Sequence, residues 1–357
     1  MDVSQFNAGV RQNLIRNWAW NAVVNHSRIR KEFEEGRDLS ATTLQVNKGV
    51  PAIVIGSGPS LDKVAPYLRG WQGAIFCSPS HVRILDRYEC RPSFVVALDT
   101  SNDVAEKLRG PVYSDTTLLT HPSMDPDVFE FWKWSKRYFL MVENGEWSDL
   151  QPYMYPWIDA PLPNSGCVVN NSIHIATMLG YSPIFLMGVD MGFPAGIKAA
   201  TNFRYRGAYA YWPVAPSTVD PKDELPQENG IPTTHTQLFY KAILLANWKL
   251  LRSFLISCSD GILTEIPYAE PLEVLKKQGQ GYGGLKTTDK QIDTIVDSYT
   301  IPRGMYSVRG PHGPMGNELA GQIQEQIRQM EGVLEERKRV FAKWRHGEDG
   351  WARDTSE

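Results

Sequence analysis

The residues with the clearest chemical potential form a glycine-rich turn at 56–60, GSGPS, which directly follows the apolar run AIVI at 52–55. The apolar run predicts a strand that is buried on both faces. The two glycines of the turn at 56–60 allow a tight bend of the backbone and a close approach to a ligand. Ser60 predicts the N-cap of a helix to about Leu68, with Asp62 in the first turn. The free N–H groups at the start of this helix and the positive end of the helix dipole would then be directed at one point. The turn therefore predicts an anion site, although a plain strand-to-helix turn has the same pattern.

A second stretch of interest, residues 163–193, predicts a helix followed by a buried strand. Asn164, Ser165 and Gly166 open the helix, which runs to Leu179 and has Gly180 as its C-terminal cap. Ser165 and the first free N–H groups of this helix form a second possible site for an anion or a carboxylate.

Two aspartates lie at the C-terminal ends of predicted strands. Asp99 follows the apolar run at 93–98, and Asp190 follows the run at 183–187. Ligands of open α/β sheets bind just outside the carboxyl ends of the strands, so both aspartates are expected at one crevice. For Asp99, the N-cap of a helix near 102–108 is the alternative. Ser78 or Ser80 opens another helix after the predicted strand at 73–77.

Residues 194–234 form a long connection rich in Gly, Pro and Tyr, which predicts either a lid over an anionic, ring-shaped substrate or a disordered surface insertion. His235 follows in the first turn of a helix that Thr234 can cap. It could act there as a general base, and a purely structural histidine is the alternative. The cationic and aromatic residues of the connection are Lys198, Arg204, Arg206, Tyr205, Tyr209 and Tyr211.

Composition excludes several classes of protein. The 357 residues carry a net charge of −3, which gives no reason to expect nucleic acid as the main partner. No apolar run reaches the length of a membrane span, and residues 1–10 lack the core of a signal peptide, so a cytoplasmic location is expected. No cysteine or histidine spacing indicates a metal site. The four cysteines are expected to be reduced core residues: Cys77, Cys90, Cys167 and Cys258.

The motifs together resemble a known family. GSGPSLD at 56–62, RPSFVVALD at 91–99, residues 164–193 and the later THTQ…LLANW block resemble the 6-hydroxymethylpterin diphosphokinase MptE-like family. That family includes motility accessory factors implicated in glycosylating flagellin with nonulosonic acids. The same order of motifs resembles bacterial sialyltransferases that use CMP-sialic acid. The resemblance covers roughly residues 51–275.

This resemblance implies an α/β fold with a Rossmann-like, mostly parallel sheet and flanking helices. The expected divisions are an N-terminal helical arm (1–48), the Rossmann-like domain (49–275, including the 194–234 connection), a linker (276–313) and a C-terminal helix (314–357). The spacing of apolar residues after 314 also predicts a possible homo-oligomer through 314–345.

The resemblance also implies roles for single residues. The donor's phosphate and nucleotide would contact the turn and neighbouring positions: Gly56, Ser57, Gly58, Pro59, Ser60, Ser78, Asp99, Asn164, Ser165, Gly166 and Asp190. His235 would deprotonate the acceptor hydroxyl, and Tyr205 would assist the leaving phosphate. Ser57 departs from the sialyltransferase turn, which has asparagine there.

Three functions remain open from the sequence. The first is a metal-independent, inverting glycosyltransferase with a CMP-linked nonulosonic- or sialic-acid-type donor, an acceptor glycan or protein, and no tightly bound cofactor. The second is an ATP-dependent pterin diphosphokinase, whose Mg²⁺ would need carboxylates such as Asp99 and Asp190. The third is a non-catalytic binding module. No P-loop lysine motif is present, which argues against an ordinary P-loop kinase.

Overall fold

The computed structural model describes residues 18, 20–32, 34–35, 49–100, 102–108, 115–131, 137–139, 141–142, 161–162, 165–194, 225–251 and 254–281. Asn164, Tyr205 and the C-terminal segment from 282 lie outside these residues, as does most of the 194–234 connection. The roles and domain boundaries predicted there stay predictions.

Among the described residues, seven parallel strands form the central sheet. They are β1 (Ala52–Ile55), β2 (Ala74–Cys77), β3 (Phe94–Ala97), β4 (Thr117–Thr120), β5 (Arg137–Phe139), β8 (Ile184–Met187) and β11 (Leu255–Ser257). Their order in the sheet is β11-β8-β1-β2-β3-β4-β5. This confirms the predicted α/β fold with a Rossmann-like parallel sheet. Two small two-stranded sheets pair β6 (Met141–Val142) with β7 (Pro161–Leu162), and β9 (Gln227–Glu228) with β10 (Ile231–Pro232).

Helices cover both faces of the sheet. They are α1 (residues 20–32), α2 (Leu61–Val64), α3 (Pro79–Arg87), α4 (Asn102–Leu108), α5 (Pro126–Phe131), α6 (Val168–Met178), α7 (His235–Leu251) and α8 (Pro271–Lys276), and a 3₁₀ helix spans Ala65–Gly70. Successive side chains of a strand point to opposite faces. Ile53 and Ile55 thus join one core with α1, α2, α3 and α8, whereas Ala52 and Val54 join the other core with α6 and α7.

The order of the strands creates a switch point between β1 and β8. From β1 the chain proceeds through β2, β3, β4 and β5 toward one edge, and it returns to β8 on the other side of β1. Ligands of such sheets bind outside the carboxyl ends of the two strands at this point. The loops that follow β1 and β8 therefore form the candidate site.

Two predicted helix boundaries are wrong in detail. The helix after Ser60 ends at Val64 instead of about Leu68, because Pro66 has no N–H group to continue the α-helical bonds, and a 3₁₀ helix follows. The helix predicted to open at 164–166 begins at Val168, since Gly166 has a φ of 79° and Cys167 is extended. Its C-terminal end is as predicted, with Gly180 at a φ of 84° just past the last turn.

The N-terminal helix α1 packs on the domain. Asn25 donates from its side-chain amide to the carbonyls of Pro122 (2.9 Å) and Met124 (2.8 Å), and Asn21 donates to the carbonyl of Ser123 (3.1 Å). These bonds fix α1 on the loop that follows β4.

Candidate functional site

The loops after β1 and β8 lie in direct backbone contact. The Gly58 amide donates to the Gly188 carbonyl at 2.6 Å, and the Gly56 amide donates to the Met187 carbonyl at 2.9 Å. A Cβ atom on Gly56 would lie 2.4 Å from the Gly188 oxygen, and one on Gly188 would lie 2.6 Å from the Gly56 oxygen. Both positions therefore require glycine for this close approach.

Asp190 is buried beneath the turn at 56–60. Its Oδ2 accepts from the Ser60 amide (2.8 Å), and its Oδ1 accepts from the Ser60 hydroxyl (2.5 Å) and from the Asp260 amide (3.1 Å). Burial raises the pKa of Asp190, and the bonds from Ser60 oppose that rise. A Cβ atom on Gly58 would lie 2.3 Å from Oδ2, so the carboxylate fills the space under this glycine. Asp190 therefore holds the turn in place.

The backbone donors of the turn are largely used within the protein, which corrects the expectation of a cradle of free N–H groups. The amides of Gly56, Gly58 and Ser60 bond to Met187, Gly188 and Asp190, and Pro59 has no N–H group. The amides of residues 61, 62 and 63 bond back to carbonyls of residues 58, 59 and 60. Ser57 is half-buried, whereas Gly56, Gly58 and Ser60 are buried. It is the residue of the turn best placed to offer donors to a ligand.

A histidine that the sequence analysis did not single out connects Ser57 with Ser78. His81 lies in the first turn of α3, and its Nδ1 accepts from the Ser78 amide at 3.1 Å, with the Ser78 hydroxyl oxygen at 3.0 Å. Its Nε2 lies 2.9 Å from the Ser57 hydroxyl oxygen. Burial lowers the pKa of His81 to about 4, so the ring is neutral at pH 7. The signal in the sequence was the Ser-x-x-His spacing, a variant of the capping box.

The tautomer of His81 follows from these partners. Because Nδ1 accepts a backbone N–H, the single ring proton lies on Nε2, which then donates toward Ser57. A serine and a histidine at 2.9 Å resemble a nucleophile and its base. In a catalytic pair of serine and histidine, however, the ring nitrogen that faces the serine must accept the proton of its hydroxyl. The polarity here is reversed, so His81 does not activate Ser57 as a nucleophile.

The predicted residues at the start of α6 are placed against α7. Ser165 is fully buried, and its hydroxyl oxygen lies 3.4 Å from the side-chain amide of Asn247. Its carbonyl accepts from the Asn170 side chain at 2.9 Å. A Cβ atom on Gly166 would lie 3.0 Å from Ile243 and Tyr240. Contacts of Ser165 and Gly166 with a ligand stay predictions, as does the role of Asn164.

Asp99 is exposed at the end of β3. Nearby, His121 repeats the arrangement of His81: its Nδ1 accepts from the Ser123 amide (3.2 Å), and its Nε2 donates to the Leu98 carbonyl (2.9 Å). Burial lowers the pKa of His121 to about 4, and the charge of Asp99 acts in the opposite direction. Two neutral histidines thus connect neighbouring strand ends, β2 with β1 and β4 with β3.

His235 is exposed at the first position of α7. A reciprocal capping box fixes this helix end, since the Gln237 amide donates to the Thr234 hydroxyl and the Thr234 amide donates to Gln237 Oε1, both at 3.1 Å. This confirms Thr234 as the predicted cap. The Thr233 hydroxyl donates to the Met191 carbonyl at 2.7 Å, which joins the start of α7 to the loop after β8. His235 therefore lies two residues from a direct contact with that loop.

A buried ion cluster holds the β9–β10 hairpin on α7. The Lys241 ammonium lies 2.7 Å from Glu228 Oε1 and 2.8 Å from Glu265 Oε1, and the lysine side chain is 3% exposed. Glu228 belongs to the hairpin that ends the 194–234 connection. The cluster was not predicted, although a lysine within the apolar run LFYKAILLANW was a usable signal.

Within the described residues, no group of three or more His, Cys, Asp or Glu side chains could hold a metal ion. Among the same residues, no helix is long and apolar enough to cross a membrane. The four cysteines are free, and three of them are buried, as expected.

Comparison with known proteins identifies the family resemblance independently. The profile of the family described as 6-hydroxymethylpterin diphosphokinase MptE-like matches residues 21–196. Among solved structures, the MAf glycosyltransferase from Magnetospirillum magneticum AMB-1 superposes with a TM-score of 0.49 at 16% sequence identity. The superposition covers 71% of this chain and 38% of that protein. A search of curated proteins found no match.

Proposed function

We propose that this protein is a glycosyltransferase that uses a nucleotide-activated sugar, with CMP as the nucleotide and a nonulosonic- or sialic-acid-type sugar. The match of the MptE-like family model to residues 21–196 supports a transferase. The observation that carries the proposal is the convergence at the switch point of the sheet. There the half-buried Ser57 follows β1, and the loop after β8 contacts the segment that leads to His235. A nucleotide outside the strand ends fits the general rule for such sheets.

In the proposed reaction, the donor's phosphate lies on the turn at 56–60 and accepts a hydrogen bond from Ser57. His235 accepts the proton of the acceptor hydroxyl, and the acceptor oxygen attacks the anomeric carbon from the face opposite the nucleotide. The bond between that carbon and the phosphate oxygen breaks, CMP leaves with the bonding electrons, and the configuration inverts. Tyr205, which the sequence resemblance links to the leaving phosphate, would assist this departure.

The family description supports a second candidate, an ATP- and Mg²⁺-dependent diphosphokinase. Its metal would need carboxylates at the strand ends, and Asp99 and Asp190 are the two that follow β3 and β8. Asp190 is 1% exposed, and both its oxygens accept bonds from Ser60 or Asp260. A carboxylate occupied in this way is poorly suited to bind Mg²⁺. This geometry favours the glycosyltransferase.

A nucleotide panel separates the two candidates. Binding of CMP, UDP, GDP and ATP is measured by calorimetry with Mg²⁺ and again with EDTA. Tight binding of CMP in EDTA supports the glycosyltransferase, whereas binding of ATP that requires Mg²⁺ supports the diphosphokinase. If none of the four binds, both enzyme proposals fail and the non-catalytic module remains.

The role of His235 is tested by release of CMP from CMP-N-acetylneuraminic acid. His235→Ala should retain CMP binding and lose turnover by about 10²–10⁴-fold, the usual contribution of a general base. Added imidazole should restore part of that turnover, which it would not do if the histidine were only structural. Full turnover in His235→Ala would reject its role as the base.

A further inference from the structure

We propose that Ser57 is the residue of the 56–60 turn that binds the ligand, through a hydrogen bond from its hydroxyl to an oxygen of the ligand's phosphate. His81 is the positioning residue that orients this hydroxyl as a donor. The identity of the ligand rests on the proposed function. The assignment of donor and acceptor rests on the contacts of Ser57, His81 and Ser78 alone.

The first step concerns which atoms of the turn remain available. The amides of Gly56, Gly58 and Ser60 donate to the loop after β8, and the Ser60 hydroxyl donates to Asp190. Ser57 is half-buried at the strand ends, with its hydroxyl toward the ring of His81. Anion recognition by this turn therefore depends on one residue, in contrast to a phosphate loop in which several amides converge.

The second step concerns the direction of the Ser57 proton. The Ser78 amide can only donate, so His81 Nδ1 must accept, and the ring proton lies on Nε2. With Nε2–H directed at the serine, the hydroxyl hydrogen of Ser57 cannot point back at the ring. The Gly56 carbonyl is a further hydrogen-bond partner of the ring. The Ser57 hydroxyl hydrogen is thus directed away from the ring and can be donated to a ligand, and the neutral, buried ring cannot reverse this arrangement by accepting the proton.

The third step concerns specificity. A fixed donor at this position is complementary to an oxygen that carries negative charge, and a hydrogen bond to a charged oxygen is stronger than one to a neutral group. Among the groups of a nucleotide, the phosphate is therefore the favoured acceptor for the Ser57 hydroxyl, and replacement of Ser57 should affect nucleotides more than nucleosides.

The test compares Ser57→Ala, Ser57→Thr and the wild-type protein in binding the tightest nucleotide of the CMP, UDP, GDP and ATP panel and its matching nucleoside. Ser57→Ala should weaken nucleotide binding about tenfold or more and leave nucleoside binding unchanged, since loss of a charged hydrogen bond has about this effect. Ser57→Thr retains the hydroxyl and should restore most of the affinity. Unchanged nucleotide affinity in Ser57→Ala, or an equal loss for the nucleoside, would overturn the proposal.

The positioning role of His81 is tested by a double variant. His81→Gln should weaken nucleotide binding, yet added to Ser57→Ala it should cause no further loss, because it acts through the serine. A further loss in the double variant equal to that of His81→Gln alone would indicate a general structural effect and would overturn the positioning role.

A spectroscopic measurement keeps the proposal testable if the His81 variant does not fold. In wild-type protein labelled with ¹⁵N-histidine, the two buried rings of His81 and His121 should both be neutral and protonated at Nε2. Protonation of the His81 ring at Nδ1 would overturn the proposal. If no nucleotide binds the wild-type protein, the proposed function fails, and this measurement still decides the orientation of His81.

Discussion

Ser60 donates both its amide and its hydroxyl to the carboxylate of Asp190, a residue 130 positions further along the chain, at 2.8 and 2.5 Å. The pair joins the loop after β1 to the loop after β8. Asp260, in the loop after β11, adds a third donor at 3.1 Å. The shape of the candidate site therefore depends on one buried carboxylate that collects donors from two other loops.

We expect Asp190→Asn to lower the free energy of unfolding by about 1–3 kcal/mol, because an amide group in place of one oxygen faces a donor and leaves it unsatisfied. Urea denaturation followed by circular dichroism measures this. Ser60→Ala should be destabilising as well, and the double variant should lose less than the sum of the two. Ser27→Ala, on the exposed face of α1, is the matched serine control and should change stability by less than about 0.5 kcal/mol. Strictly additive losses would show that Ser60 and Asp190 do not stabilise each other.

The contact between Gly56 and Gly188 predicts a strong effect of adding one methyl group. Gly56→Ala places a Cβ atom 2.4 Å from the Gly188 oxygen, and the clashing atom belongs to the backbone. We expect a loss of about 1–3 kcal/mol or more in the free energy of unfolding. Gly70→Ala is the matched control, since a Cβ atom there would have no atom of a non-adjacent residue within 4 Å. Thermal denaturation of both variants should separate them clearly, and equal melting temperatures would contradict the contact.

Some of this arrangement was predictable from sequence and some was not. The apolar runs located the strands of the sheet, and the rule that ligands bind at strand ends directed attention to the turn at 56–60 and to Asp190. The pairing of Ser60 with Asp190 was not predictable, because it depends on β8 lying next to β1, and hydrophobic periodicity carries no information on strand order. The role of the turn's amides was predicted wrongly for the same reason, since their acceptors lie on β8 and in the loop that follows it.

His81 and Lys241 were missed for a different reason. A histidine in the first turn of a helix and a lysine in an apolar helix each have an ordinary explanation when read singly. His81 contacts Ser57, which follows a different strand. Lys241 contacts Glu228 and Glu265, which both lie outside the helix of the lysine. Only the fold brings these groups together.

Stability should fall as the pH decreases, because His81 and His121 are buried as neutral rings. Their pKa values are lowered from 6.5 to about 4. Below pH 6.5 the unfolded chain takes up protons that the folded protein does not, so the stabilising effect of the neutral rings is complete above pH 6.5 and is lost progressively toward pH 4. Each ring should contribute about 1 kcal/mol of lost stability between about pH 6 and pH 5.

Urea denaturation at about pH 7, 6 and 5 gives the free energy of unfolding at each pH, and the change per pH unit is the slope. His121→Gln removes one of the buried neutral rings and should reduce the slope by about one proton, whatever its effect on stability at pH 7. An unchanged slope in this variant would mean that the pKa of His121 is not lowered in the folded protein.

The ion cluster of Lys241 provides the last prediction. Lys241→Met removes the cation and leaves Glu228 and Glu265 facing each other, with the Glu265 side chain only 10% exposed. We expect a loss of about 3–5 kcal/mol, as for other buried charges that lose their partner. Adding Glu228→Gln and Glu265→Gln to Lys241→Met removes the uncompensated charges and should recover a large part of the loss. Because Glu228 belongs to the hairpin that ends the 194–234 connection, limited proteolysis near 225–232 should also be faster in Lys241→Met than in the triple variant. Equal free energies of unfolding for Lys241→Met and the triple variant would show that the charge of Lys241 does not hold the hairpin on α7.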